Sequence, residues 1–322
     1  MAIDIAPLRI DTLLTEPVGV DMLRLDAIHP FVSGNKYFKL KYNLNFHLDT
    51  SIPDSVKFES TLTPTDFKIV KWGKTDLQKI NSDFVYTPYE YGKPMRDITI
   101  GPSNPNFTRL ENISPNFKNA LLTSEDPSFF RHNGFVEESI RKSIAVNFKE
   151  KKFKRGGSTI SMQLVKNVFL SRQKTLARKA EEILIVWLIE NNKLISKQRM
   201  LEVYFNIIEM GPNVYGIGEA ARHYFGKMPA DLTLGEGLFL ANIVPRPKVA
   251  MYKFMSDGSL KPYLLPWFRY IGNTMARRGL TPSDSSGYGY YNVRLREGLR
   301  QYLLPDSVVI DTNSLDMDDE ET

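Results

Sequence analysis

Apolar and polar positions change rhythm along the chain, and the changes divide it into blocks. From about residue 110 to about 255 apolar residues recur at helical spacing. The strongest case is RKAEEILIVWLIENNKL, Arg178 to Leu194, where positions 180, 183, 184, 187 and 188 share one helical face. Arg178 and Glu182 are spaced i,i+4, so a cation and a carboxylate meet at the start of that helix, off its apolar face. ISPNFKNALLTSED opens the helical block, with Ser114 as N-cap and Pro115 at the first helical position. SKQRMLEVYFNIIEMG predicts a further helix closed by Gly211. TLGEGLFLANIVPRP predicts another, stopped by its prolines.

Other blocks have a different texture. Residues 47–108 are rich in Thr, Val, Tyr, Asp and Pro, and FKIVKW and DFVYTPYEYG read as short strands with turns. Residues 1–46 mix short apolar runs with a lysine-rich end. After residue 255 the pattern predicts one or two helices around the polar loop TPSDSSGYGYY. The expectation is a mainly α domain over 109–304, preceded by a small strand-containing region and followed by an acidic, disordered tail over 305–322.

Composition narrows the chemistry. The chain has 322 residues, enough for a substantial core, and no cysteine. Disulfides, thiolate metal sites and cysteine nucleophiles are excluded. The net charge of +5 hides an asymmetry: the last twelve residues carry six acids and no base. From Arg141 to Lys179 there are twelve Lys/Arg against one acid, Glu150. Such a stripe calls for an anionic partner or a solvated face. The longest apolar run, ILIVWLI at 183–189, falls far short of the roughly 20 residues a bilayer needs. No signal peptide or anchor is expected from the sequence.

Three short stretches could carry chemistry. In SEDPSFFRHNG, Glu125 and Asp126 stand together, followed by Phe129, Phe130 and His132. A carboxylate against aromatic walls suits general acid or base work near neutral pH. Taken alone, a helix cap formed by Ser124, Glu125 and Asp126 is the more economical reading, since acids favour helix starts. In RGGSTISMQLVKN two glycines precede Ser158 and Thr159, and Gln163, Lys166 and Asn167 follow on one helical face. A glycine turn opening a helix aims backbone N–H groups at an anion, although no Walker A pattern is present. In RKAEE, two cations precede a carboxylate; a surface salt bridge is the plain alternative.

Together these stretches resemble the peptidoglycan glycosyltransferase family, found in bifunctional penicillin-binding proteins and monofunctional transglycosylases. Its EDxxFxxHxG pattern is matched from Glu125 to Gly134, its GGSTxxQQxxKN from Gly156 to Asn167, and its RKxxE from Arg178 to Glu182. LExYxN…G is matched by Leu201, Glu202, Tyr204, Asn206 and Gly211, and a last block runs from Gly218 to Pro245. Met162 replaces the first glutamine of the QQ pair, Ser161 stands where Thr is usual, and Lys174 sits where some members have arginine. A methionine cannot donate a hydrogen bond, which puts one substrate contact in question.

The resemblance implies a lysozyme-like, two-lobe glycosyltransferase domain that polymerises lipid II into β-1,4 glycan strands and releases undecaprenyl pyrophosphate. It implies Glu125 as base with Asp126 in support, and Glu182 as second catalytic carboxylate. Lys166, Arg178 and Lys179 would neutralise the pyrophosphate. Phe129, His132, Ser158, Thr159, Gln163 and Asn167 would shape or contact the substrate. A divalent cation, Mg or Mn, is a candidate to share the electrostatic work. The basic, amphipathic stretch after His132 suits a membrane surface. Implied partners are lipid II, the growing strand and other cell-wall synthesis proteins, with no nucleic acid. The implied location is the outer, periplasmic face of the bacterial cytoplasmic membrane.

RLDAIHPFVSGNKYFKLKYNL, Arg24 to Leu44, is similar instead to the start of pyridoxal-phosphate enzymes related to aminocyclopropane-carboxylate deaminase and D-cysteine desulfhydrase. There the lysine after SGN forms the Schiff base, here Lys36. The similarity covers only residues 1–46, so pyridoxal phosphate is not expected as a cofactor. Two alternatives remain open to test: a lipid II- or glycan-binding remnant with weak catalysis, and, less favoured, a pyridoxal-phosphate lyase.

Overall fold

A computed structural model describes residues 39–47, 57–65, 76–90, 92–149, 156–170 and 176–306. Lys36, Lys174, the lysine-rich stretch 150–155, FKIVKW and the acidic residues from 307 lie outside the described residues. The chain divides into two compact units that interleave along the sequence. The first takes Met1–Leu77 and His132–Leu194, and the second Gln78–Arg131 and Ile195–Thr322.

In the first unit, β1 (Lys39–His47) and β2 (Lys57–Thr65) form an antiparallel hairpin with Lys39 opposite Thr65 and His47 opposite Lys57. Three helices follow: α2 (Glu137–Lys149), α3 (Ile160–Phe169) and α4 (Leu176–Asn191). α3 starts where Thr159 Oγ1 accepts from the Met162 N–H, a side-chain cap for one of the orphan donors of the first turn. Its core side is Ile160, Met162, Leu164 and Val165.

α4 departs from its predicted face. Its deepest positions are Glu182, Ile185, Val186 and Ile189, spaced i, i+3, i+4, i+7, while Leu184 and Leu188 are somewhat less covered. The run from Ile183 to Ile189 is apolar all round, so its periodicity could not fix which stripe goes deepest. Glu182 therefore lies on the buried face and not on the solvent side.

In the second unit, β3 (Phe84–Tyr86) pairs antiparallel with β6 (Ile98–Ile100), and β4 (Tyr89–Glu90) with β5 (Lys93–Pro94). The strands expected in DFVYTPYEYG are β3 and β4. The rest is helical: α1 (Pro115–Glu125), α5 (Lys197–Ile207), α6 (Gly216–Phe225), α7 (Leu234–Ile243), α8 (Leu265–Arg277) and the short α9 (Glu297–Arg300). A small antiparallel pair, β7 (Glu209–Gly211) and β8 (Val214–Tyr215), joins α5 to α6. An aromatic core fills this unit: Phe239 stacks edge-on against Tyr224 and Phe225, and Phe117 meets Phe205 at 5.2 Å between centroids.

Caps explain where these helices begin. Ser114 accepts from the Asn116 N–H and Pro115 occupies the first position, as predicted. Ser196 caps α5 by accepting from the Arg199 N–H. α7 opens with a full capping box between Thr233 and Glu236, and Lys227 Nζ adds two bonds to the Glu236 carboxylate at 2.8 and 3.0 Å. Gly211 does not close α5. The helix ends at Ile207, Ile208 turns extended, and Gly211 is a strand residue whose absent side chain leaves room for the Tyr224 hydroxyl. That hydroxyl donates to Met210 O at 2.6 Å.

Candidate active site

The second unit carries the Glu125–Asp126 pair. The pair ends α1: Glu125 is its last residue, and Asp126 leaves the helix at φ −152°, ψ 75° with its N–H still on Leu122 O. The carboxylates therefore sit at the negative pole of the helix dipole, where a carboxylate costs stability. The helix-start explanation of these acids is removed. Asp126 is buried, whereas Glu125 is half-buried.

The chain then turns, Phe129 N–H bonding back to Asp126 O at 3.1 Å. Phe129 is buried, with the Lys197 ammonium 4.5 Å from its ring centroid, while Phe130 is 53% exposed. Only the first of the two phenylalanines is a wall of the interior. Tyr204 is fully buried, and its hydroxyl is pushed well above the ordinary tyrosine range, first by burial and then by the charges of Glu125 and Asp126. It stays protonated near the pair. Tyr204 belongs to the LExYxN stretch, but its spacing gave no sign of this role.

The same stretch also fixes the approach to α1. Asn206 accepts from Thr108 N–H and donates to Thr108 O, both at 2.8 Å. Glu202 Oε2 accepts from the Leu110 N–H at 2.8 Å, and Glu202 is itself paired with Arg199. Arg199 in turn donates to Ile80 O and Ser82 O. Glu202 and Asn206 thus anchor the segment that leads into the Glu125 helix.

The first unit brings the other motifs together. His132 Nδ1 accepts from the Gly134 N–H at 3.0 Å. Gly134 has φ +91°, and a Cβ there would lie 2.4 Å from Val186 Cγ1. Its carbonyl accepts from Thr159 Oγ1 at 2.6 Å, so the Thr159 hydroxyl links the first motif to the cap of α3. Thr159 is buried; Ser158 beside it is exposed. Gly157 runs tight against α2, where a Cβ would lie 3.2 Å from Ile140 Cα. Gln163, Lys166 and Asn167 lie on the less buried side of α3, as their spacing predicts. Ser161 donates to Glu190 Oε1 at 2.6 Å. Met162 is 2% exposed, so the residue that departs from the family pattern packs in the core.

At the start of α4, Glu182 is 1% exposed and each of its oxygens is bonded. Arg178 Nη1 donates to Oε2 at 2.9 Å and Lys179 Nζ to Oε1 at 2.6 Å. Lys179 Nζ also donates to Ser158 Oγ at 3.2 Å. Two cations on one carboxylate leave a net positive charge beside the exposed serine and the N-terminus of α3. This is an electrostatic arrangement for an anion. Among the described residues no group of three or more His, Cys, Asp or Glu side chains is placed to hold a metal ion, and both Glu182 oxygens are already engaged.

Comparison with known proteins bears on the family. The family described as Transglycosylase matches residues 91–259, just over half of the chain. The biosynthetic peptidoglycan transglycosylase of Acinetobacter baumannii (strain SDF) is 41% identical over 155 residues, covering 47% of this chain and 68% of the relative. That of Nitrosomonas eutropha is 44% identical over 161 residues, covering 50% and 63%. That of Nitrosospira multiformis is 40% identical over 166 residues, covering 52% and 69%. The mainly helical build with a small strand region ahead of it is that of the lysozyme-like transglycosylase fold. The chain belongs to the transglycosylase family and is a peptidoglycan glycosyltransferase.

Proposed function

We propose that the chain polymerises lipid II into β-1,4 glycan strands with release of undecaprenyl pyrophosphate. The observation that carries this reading is the cation pair held on Glu182 beside Ser158, which suits a pyrophosphate leaving group. Glu125, half-buried, takes the proton of the acceptor 4-hydroxyl. The freed oxygen forms a bond to the anomeric carbon of the growing strand with inversion. The bond from that carbon to the pyrophosphate oxygen breaks, and its electron pair leaves with the pyrophosphate.

Lys166, Arg178 and Lys179 oppose the charge that develops there, an effect worth about 3 kcal/mol per well-placed donor. Buried Asp126 and protonated Tyr204 set the electrostatic surroundings of Glu125. Glu182 acts by fixing its two cations, and Thr159 by organising the cap of α3. Ser158, Gln163 and Asn167 are the polar groups available to sugar or phosphate. A divalent cation bound with the pyrophosphate would share that electrostatic work.

A lipid-linked substrate and a glycan product set the surroundings of the reaction: the outer face of the bacterial cytoplasmic membrane, with a membrane surface and other cell-wall synthesis proteins as partners and no nucleic acid. Among the described residues no helix is long and apolar enough to cross a membrane. One ground for the rival reading, a catalytically weak lipid II- or glycan-binding remnant, was the loss of a glutamine at position 162. Burial of Met162 takes away that motive. Labelled lipid II in detergent micelles tests the proposal. Polymer that is cut by a muramidase is the expected product; tight binding with no polymer would favour the remnant.

A further inference from the structure

Arg278 lies past the residues matched by the family, in the turn that ends α8, yet it reaches the Glu125 turn. The end of α8 is closed by backbone bonds that include Arg278 N–H to Met275 O, Gly279 N–H to Ala276 O and Leu280 N–H to Met275 O, at 3.1, 2.9 and 3.0 Å. From this stop the guanidinium extends two prongs. Nη1 donates to Thr123 Oγ1 at 3.1 Å, and Nη2 donates to Pro127 O at 2.9 Å. Thr123 is buried in the last turn of α1, and Pro127 follows Asp126 directly. The two prongs bracket Ser124, Glu125 and Asp126.

We propose that Arg278 is a positioning residue for Glu125. The carboxylate sits where the helix stops: Asp126 N–H to Leu122 O is the last bond of the ladder, and the backbone leaves helical geometry at Asp126. A bond on each side of that exit fixes its direction. The planar fork of arginine spans two acceptors in one geometry, which the single ammonium of lysine does not reproduce. A base misaligned by a fraction of an ångström loses much of its rate, whereas substrate affinity resides elsewhere. The inference rests on the role proposed for Glu125.

The test compares wild type with Arg278→Ala and Arg278→Lys, the full chain in each case. It measures polymerisation of lipid II, thermal unfolding and hydrogen exchange of the amides of residues 124–130. Arg278→Ala is expected to lower kcat by about 10-fold or more with KM nearly unchanged. Added guanidinium ion should restore part of the rate, and exchange at 124–130 should quicken while the melting point holds. Wild-type rate and unchanged exchange would overturn the inference. So would a loss of activity in proportion to a loss of folded protein, with no local change in exchange. If Arg278→Ala does not fold, Arg278→Lys decides: slowed turnover with faster local exchange supports the clamp, and wild-type behaviour refutes it. Inactivity of the wild type towards lipid II would count against the proposed function instead, and the exchange measurement would still decide the clamp.

Discussion

Lys179 donates to Ser158 across 3.2 Å, and this bond joins two sequence motifs whose members stand 21 residues apart. The same ammonium is held by Glu182, so the exposed serine, the lysine and the buried carboxylate form one chain of bonds. The glycine loop and the RKAEE turn are therefore one structural object.

Removal of Glu182 should be felt as instability before it is felt as lost chemistry. Glu182→Ala leaves Arg178 and Lys179 without their counter-charge, at a cost of about 3 kcal/mol in denaturant unfolding. Lys179→Ala should cost under about 1 kcal/mol, because that lysine side chain is 38% exposed, yet it should weaken pyrophosphate inhibition. Equal destabilisation by the two variants would contradict the picture of a buried anchor.

Restoring the family glutamine at 162 should not improve the enzyme. Met162 packs in the core of α3, so Met162→Gln buries an amide and should destabilise by about 1–3 kcal/mol. Turnover per folded molecule should not rise. A faster, equally stable variant would show that position 162 faces substrate.

Lys253 predicts a pH effect of defined sign. Its ammonium is pushed from the ordinary 10.5 down to about 8, by burial first and by the Arg246 charge second. Folding therefore favours the neutral form, and the unfolded chain binds more protons between about pH 8 and 10.5. Stability from this group rises with pH across that window, and the penalty is fully present below it. Lys253→Met should be the more stable protein at pH 7, with the difference shrinking towards pH 10. Buried Tyr204 and Tyr224, both shifted upward, act oppositely above pH 10, so the melting comparison is confined below it.

Much of this architecture is legible in the residues themselves. Ser114–Pro115 and Thr233–Glu236 announce helix starts through local chemistry, which needs no tertiary knowledge. The ordered motifs from Glu125 to Pro245 identify the family because each combines polar groups with glycine or proline at fixed spacing. What local pattern cannot carry is which side of an element meets the core. The uniformly apolar run after Glu182 hid the burial of that carboxylate, and Gly211 looked like a helix stop because its close neighbour, Tyr224, is distant in sequence. Arg278 and Thr123, 155 residues apart, were invisible for the same reason.

Glu125 is proposed as the base that deprotonates the acceptor sugar. Its most direct measurement is the polymerisation rate of Glu125→Gln against wild type on labelled lipid II, with binding of the substrate measured on the same preparations. Unchanged binding and a rate lower by about 10² or more are expected. Equal rates at equal binding would contradict that role.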